Sequence, residues 1–316
     1  MATRRIGSLE VSLVGLGCNN FGRRLGLDGT RPVVEAALDQ GITLFDTADV
    51  YNGDRGWSEE LLGAALGRHR GEVVVATKFG MELDSERRGA HPSYVRSACE
   101  ASLRRLGSDH IDLYQLHQPD PDVPIAETLG ALHELVTAGW VREIGHSNLH
   151  ADQVDEADAA ATDGTRFVCA QDHWSLLDRD IEHGNLPAIE RHGLAVLPYF
   201  PLASGLLTGK YTSGEAEDPA WRLASAPDHQ RAERLSDERL ETTRRLQAFA
   251  EARDRSILEL AFSWLAGQGP VASVIAGATR PDQVRANVAA VGWQLDADEI
   301  AEVDRITGHT EDDASR

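Results

Sequence analysis

Short apolar runs alternate with amphipathic stretches along nearly the whole chain. Strand-like runs fall at Leu13–Gly17, Thr43–Asp46, Val73–Lys78, Ile111–His117, Val141–Ser147, Phe167–Gln171, Ala195–Tyr199 and Ser273–Ala276. Between them, apolar residues recur at three-to-four spacing, as over Val33–Asp39, Ser58–Leu66, Tyr94–Leu106 and Ile125–Ala138. That spacing predicts helices with one buried face. Gly41 and Gly139 follow two of these helices, where a left-handed residue commonly ends one. A hairpin-like start (Arg4–Ile6, a turn at Gly7–Ser8, then Leu9–Ser12) precedes the alternation.

Strands alternating with helices predict a parallel sheet. Eight of them in 316 residues favour an α/β fold of the closed (β/α)8 TIM-barrel type, 1–316 as a single domain. A doubly wound sheet would carry GxGxxG after its first strand. The stretch Gly15-Leu-Gly17-Cys-Asn-Asn20 lacks the third glycine, and no acidic residue follows in the ribose-binding role. The segment Thr212–Ser236 is mixed in charge and too long for an ordinary connection, so it reads as a long loop. A helical pattern at Asp296–Ile306 reads as an extra C-terminal helix, and residues 308–316 as a frayed polar tail.

Composition narrows the function. The chain is 41% hydrophobic with mean hydropathy of -0.33, enough for a core and ordinary for a soluble protein. No apolar run reaches membrane-spanning length and the N-terminus lacks a signal-peptide pattern, which predicts a cytoplasmic protein with no membrane partner. The three cysteines (Cys18, Cys99, Cys169) lie far apart and read as apolar filler rather than disulfide or zinc ligands. A net charge of -20 repels nucleic acid. Among 31 basic residues, lysine occurs only at Lys78 and Lys210. Arginine cannot usefully change protonation, whereas a buried lysine can be tuned.

In a barrel, the C-terminal strand ends open on one face and carry the chemistry. Here those ends are Asp46, Lys78, His117, Ser147-Asn148, Gln171 and Tyr199, with Tyr51 in the loop after the second. Asp46 alone reads as a helix cap, Lys78 as a solvated strand end and Tyr51 as a loop aromatic. Their joint placement reads differently. A phenol is a weak acid, with pKa of roughly 10. An ammonium beside it stabilises the phenolate, and a carboxylate can hold that ammonium in place. A neutral His117 imidazole could then orient a carbonyl next to the phenol. Such a group suits proton donation to a developing alkoxide. His117 as a metal ligand is the competing reading, disfavoured by the lack of a second suitably placed histidine; no metal is expected. His146 precedes Ser147 and faces the opposite way in an alternating strand. Trp57 and Phe21, in mouth loops, line a substrate site or pack those loops.

The stretches Phe45-Asp-Thr-Ala-Asp-Val-Tyr51, Ala76-Thr-Lys-Phe-Gly80, Leu116-His-Gln-Pro-Asp120, Ile144-Gly-His-Ser-Asn148 and Leu197-Pro-Tyr-Phe-Pro-Leu-Ala203 resemble the aldo-keto reductase superfamily. The likeness runs in order from Gly15 to about Asn287. The segments His117–Pro124 and Leu207–Tyr211 are most similar to the bacterial branch that includes the potassium-channel β subunits. The resemblance implies a catalytic tetrad of Asp46, Tyr51, Lys78 and His117, with Tyr51 as general acid in reducing a small-molecule aldehyde or ketone. It implies that Ser147, Asn148 and Gln171 hold the nicotinamide carboxamide and that Tyr199 stacks on the ring. It places the backbone of Phe200, Pro201, Leu202 and Gly205 at the pyrophosphate, Lys210 and Arg222 near the phosphates, and Gln283 and Asn287 at the adenosine end. Arg280, placed to pair a 2′-phosphate, favours NADPH over NADH. His146, Trp174 and Phe200 depart from the commoner residues of the family. A cofactor-binding regulatory subunit is the alternative from another class; His117 speaks against it, since that position can carry asparagine in the channel branch. The pattern does not give the physiological substrate or the oligomeric state.

Overall fold

A computed structural model describes residues 1–52, 56–161, 164–211 and 222–309. Strands β1 (Thr3–Ile6) and β2 (Leu9–Ser12) form the antiparallel hairpin, turning at Gly7, whose φ of 55° suits a residue without a Cβ. Eight parallel strands follow: β3 (Val14–Gly17), β4 (Leu44–Asp46), β5 (Val74–Phe79), β6 (Ile111–Leu116), β7 (Val141–Ser147), β8 (Phe167–Gln171), β9 (Ala195–Val196) and β10 (Val274–Gly277). Their order is β10-β3-β4-β5-β6-β7-β8-β9. The ring closes because Val196 N–H bonds the Pro270 carbonyl at 2.8 Å and Ala272 N–H bonds the Val196 carbonyl at 2.9 Å. The architecture is the expected α/β barrel.

The helices α1 (Leu27–Asp39), α2 (Trp57–Leu66), α3 (Pro92–Leu106), α4 (Ile125–Thr137), α5 (Ala151–Ala159) and α6 (Leu186–Arg191) alternate with β3 to β9. Then come α7 (Asp228–Arg234), α8 (Asp237–Glu251) and α9 (Ile257–Gly267) before β10, with α10 (Pro281–Ala289) and α11 (Ala297–Thr307) after it. Local signals set their ends. Pro92 sits in the first turn of α3, and Gly107 ends that helix at φ 62°. Ser256 with Glu259, and Asp296 with Glu299, form capping boxes at α9 and α11. The C-terminal helix packs against α8 on the outside of the barrel.

Residues paired across a parallel sheet share a face, so alternation sorts the core into two layers. Leu44, Val74, Ala76, Leu113, Cys169, Leu197 and Ile275 fill the barrel interior together with Ile6, Leu9 and Val11 of the hairpin. The hairpin therefore closes the bottom, and Glu143 helps by accepting Ser8 N–H at 2.7 Å. Val75, Phe79, Tyr114, Ile144 and Phe167 face the helices in the outer layer. The three cysteines are buried and free, as packing residues would be.

Two expectations need correction. The run 195–199 is a regular strand only to Val196, because Pro198 offers no N–H. Leu197 and Tyr199 nevertheless continue the ladder, bonding the Ala170 and Asp172 carbonyls at 2.9 and 3.0 Å. The segment 212–236 is not loop throughout. Its residues 212–221 lie outside the described ones; the rest holds a turn at 222–225, helix α7 after Pro227, and Ser236 as the N-cap of α8. In the tail, Gly308 ends α11 at φ 77°, and residues 310–316 lie outside the described ones.

Candidate active site

The last inward-facing residues of β4 and β5 are Asp46 and Lys78, both buried. Lys78 Nζ donates to Asp46 Oδ1 at 2.7 Å, to Oδ2 at 2.8 Å and to the Thr47 carbonyl at 2.8 Å. It also lies 3.3 Å from the Tyr51 hydroxyl. Burial works against the lysine charge, but Asp46 and Tyr51 outweigh it and hold the ammonium above its ordinary pKa. Tyr51 is presented by a short turn in which its N–H bonds the Ala48 carbonyl at 3.2 Å. The following residue, Asn52, at φ 69°, ties that turn to the loop after β3 through the Asn19 carbonyl at 3.1 Å.

The phenol departs from the sequence expectation. Burial raises the Tyr51 pKa, the Lys78 ammonium lowers it, and Asp46 raises it again; the balance is upward. The lysine acts in the direction expected, but desolvation wins. The consequence is a phenol that stays protonated at neutral pH, with a cation already in place for the phenolate.

His117 follows β6, and its ring meets that of Tyr51 edge-on, centroids 5.9 Å apart. Burial first, then the Lys78 charge, pushes its pKa down to about 3, so the imidazole is neutral. Its Nδ1 is buried with no hydrogen-bond partner among the described residues. All four residues of the expected tetrad thus converge on one side of the mouth.

The strand ends on the other side are tied to each other. Ser147 Oγ donates to the Gln171 backbone carbonyl at 2.6 Å. Asn148 Nδ2 donates to Ser147 Oγ at 2.9 Å and to the His117 carbonyl at 3.0 Å, and its Oδ1 accepts the Tyr199 hydroxyl at 2.9 Å. Gln171 Nε2 reaches across to Asp46 Oδ1 at 2.8 Å. This last bond, which links the amide side to the Asp46–Lys78 pair, was not visible in the sequence. Nor was the anchoring of Asn148 by Asp172, whose Oδ1 accepts Asn148 N–H at 2.9 Å. The only sequence signal for either is a polar residue at or just past a strand end.

Beyond Tyr199 the backbone takes an unusual path. Phe200, Ala203, Ser204 and Gly205 have φ of 52°, 45°, 60° and 103°. Consecutive residues in such conformations can turn their amides toward a common anion. A Cβ at Gly205 would lie 2.9 Å from Lys210 Nζ, so glycine is what lets that ammonium approach the turn. Arg234 of α7 donates to Ser204 Oγ, adding a second cation there. The side chain of Arg222 lies outside the described ones. Past β10, Arg280 at the start of α10 pairs with Asp282 at 3.0 Å, Gln283 accepts Thr279 N–H at 2.8 Å, and Asn287 is buried.

His146 faces outward, as alternation requires, packed on Phe167 with ring centroids 5.2 Å apart. Phe21 is fully buried and packs the loop; Trp57, 44% exposed at the start of α2, remains at the mouth. Among the described residues no group of three metal-ligating side chains is arranged around a common point, and no helix is long and apolar enough to cross a membrane.

Comparison with known proteins agrees with this fold. The model of the Aldo/keto reductase family matches residues 13–307. The aldo-keto reductase YhdN of Bacillus subtilis (strain 168) is 34% identical over 311 residues, covering 96% of this chain and 92% of its own. A probable voltage-gated potassium channel β subunit of Arabidopsis thaliana is 33% identical over 90% of this chain and 88% of its own. Among solved structures, the glycerol dehydrogenase of Gluconobacter oxydans superposes with a TM-score of 0.82 at 33% identity, covering 96% of this chain and 94% of that one. A family match over nearly the entire barrel, with relatives a third identical from end to end, makes this chain a member of the aldo/keto reductase family, oxidoreductases that act on carbonyls with a nicotinamide cofactor.

Proposed function

We propose that the protein is an NADPH-dependent reductase that converts an aldehyde or ketone to its alcohol, with Tyr51 as the general acid. One observation carries the reading: Lys78 Nζ is held by both oxygens of Asp46 and still lies 3.3 Å from the Tyr51 hydroxyl. A bound nicotinamide would supply the hydride to the carbonyl carbon. The phenol gives its proton to the carbonyl oxygen as negative charge develops there. The ammonium beside it meets the charge left on the phenolate, and Asp46 keeps that ammonium from moving away. His117, neutral through burial, can offer an N–H to the same oxygen without adding a like charge beside Lys78.

The cofactor assignment rests on chemical fit. Ser147, Asn148 and Gln171 supply hydroxyl and amide groups for a carboxamide, and Tyr199 supplies a ring face. The backbone of Phe200, Pro201, Leu202 and Gly205, with Lys210 and Arg222, suits a pyrophosphate. Arg280, Gln283 and Asn287 suit the adenosine end, with Arg280 exchanging Asp282 for a 2′-phosphate. The same reading takes residues 1–316 as one barrel domain that works in the cytoplasm on a small carbonyl compound.

The test is to follow nicotinamide absorbance with aromatic, aliphatic and sugar-derived carbonyls, using NADPH and NADH side by side. Turnover with a kcat/KM up to about 5-fold higher for NADPH is expected, since Arg280 is exposed and an exposed ion pair is worth roughly 0.2–1 kcal/mol. Tight NADPH binding with no reduction of any carbonyl would replace the reading with that of a cofactor-binding regulatory subunit.

A further inference from the structure

Asn148 is one of few non-glycine residues in the left-handed region, with φ of 61°. Asparagine tolerates that region better than most residues, but it is not the default there. In this conformation its amide reaches the His117 carbonyl, Ser147 Oγ and the Tyr199 hydroxyl at once. The ends of β6, β7 and β9 are thereby tied through one side chain. The group that holds the backbone of Asn148 in place is Asp172, which is 3% exposed and accepts Asn148 N–H at 2.9 Å. The Asp172 carbonyl also accepts Tyr199 N–H at 3.0 Å, so the same residue fixes the ring that completes the pocket.

We propose that Asp172 is a positioning residue of the nicotinamide pocket, its carboxylate locking Asn148 in the left-handed turn that aims the amide, and that losing this charge loosens the grip on cofactor. The inference rests on the cofactor reading of this site given above. A carboxylate holds a backbone N–H roughly twice as strongly as a neutral acceptor does. The surroundings leave that charge poised to be lost. Burial raises the Asp172 pKa to about 6, against the opposing effects of Asn148 N–H, the Asn185 side chain and His150 at the start of α5. The other titratable groups facing it are Tyr199 and, from β8, Cys169, both of which it pushes upward. Acidification from pH 7.5 to 5 should therefore neutralise most of Asp172.

The experiment measures the NADPH dissociation constant by nicotinamide fluorescence from pH 7.5 to 5, for wild type and Asp172→Asn. Asparagine keeps the acceptor oxygen and cannot titrate. The ratio of the two constants cancels the titration of the cofactor's own phosphate. Binding about 10-fold weaker in the variant at pH 7.5 is expected, with the ratio falling toward 1 at pH 5. Circular dichroism at each pH establishes that both proteins remain folded. In an Asn148→Gly background, where the backbone needs no anchor and no amide is left to aim, Asp172→Asn should change binding less than 2-fold. A ratio of 1 at pH 7.5, or one that does not fall on acidification, overturns the inference and leaves the reductase reading standing. Failure of both proteins to bind NADPH at any pH overturns both.

Discussion

Lys78 is enclosed by the barrel and neutralised by a single carboxylate, and this sets how its loss should be felt. A buried pair is a poor source of net stability, but removing one partner leaves the other charge without solvent or counter-ion. Lys78→Met should therefore lower stability by about 3–5 kcal/mol in urea unfolding, because Asp46 is left buried and charged. The double variant Lys78→Met/Asp46→Asn should recover most of that loss. It should not recover turnover, which stays reduced by ~10²–10⁴-fold because the phenolate has no cation. Equal stability of the single and double variants would show that the pair is not coupled as the 2.7 and 2.8 Å contacts require. At this scale the meeting of Asp46, Tyr51, Lys78 and His117 was legible in the sequence, because polar residues at adjacent strand ends can only meet at the mouth. The net direction of the phenol's pKa was not, because desolvation depends on what surrounds Tyr51 rather than on its sequence neighbours.

Between strand and helix, the outward-facing His146 of β7 makes a second claim. It is buried, both ring nitrogens lack partners among the described residues, and burial pushes its pKa from 6.5 down to about 3. The unfolded chain binds a proton at this ring below about pH 6.5, whereas the folded chain resists it until about 3. Stability is thus full above the unfolded value and is lost as pH falls from there toward 3. At pH 5 the loss from this group should be about 2 kcal/mol, at 1.36 kcal/mol per pKa unit. His146→Leu should make the fall in unfolding free energy between pH 7.5 and 5 smaller by that amount. The same fall in both proteins would mean that the ring is solvated in the native state. The facing of His146 followed from alternation alone, as did seven of the eight strands to within a residue at each end. Element ends were less legible where proline is involved. The pattern began α1 at Val33, after Pro32, yet the helix runs from Leu27 with Pro32 inside it. Before Tyr199, Pro198 cuts short the regular strand that the run Ala195–Tyr199 had suggested. The links from Gln171 to Asp46 and from Asp172 to Asn148 join residues 125 and 24 positions apart, and no local periodicity encodes such pairs.

At the level of the whole barrel, the two ends carry different burdens. The top gathers the ionisable groups of the candidate site; the bottom is closed by the apolar side chains Ile6, Leu9 and Val11 of the hairpin, whose Arg4 donates to the Ala266 carbonyl at 2.6 Å. Leu9, 1% exposed, packs into the barrel interior from β2. Leu9→Ala should cost about 2–5 kcal/mol of stability by leaving a cavity. It should leave kcat/KM within about 2-fold, because conservation of geometry at the mouth does not depend on the bottom plug. A matching fall in kcat/KM for folded Leu9→Ala would contradict that separation. The charge of -20 bears on the same division: in the proposed reading a polyanionic cofactor would be held by local cations such as Lys210, not drawn in by the overall field.

The central claim is that Tyr51 donates the proton, with Lys78 beside it to receive the charge. Its most direct test is the turnover of Tyr51→Phe with NADPH and the best carbonyl substrate, alongside the NADPH dissociation constant of the same protein. A fall in kcat of at least about 10²-fold with cofactor affinity unchanged within about 3-fold is the expected result. Turnover by Tyr51→Phe equal to that of wild type would contradict the account.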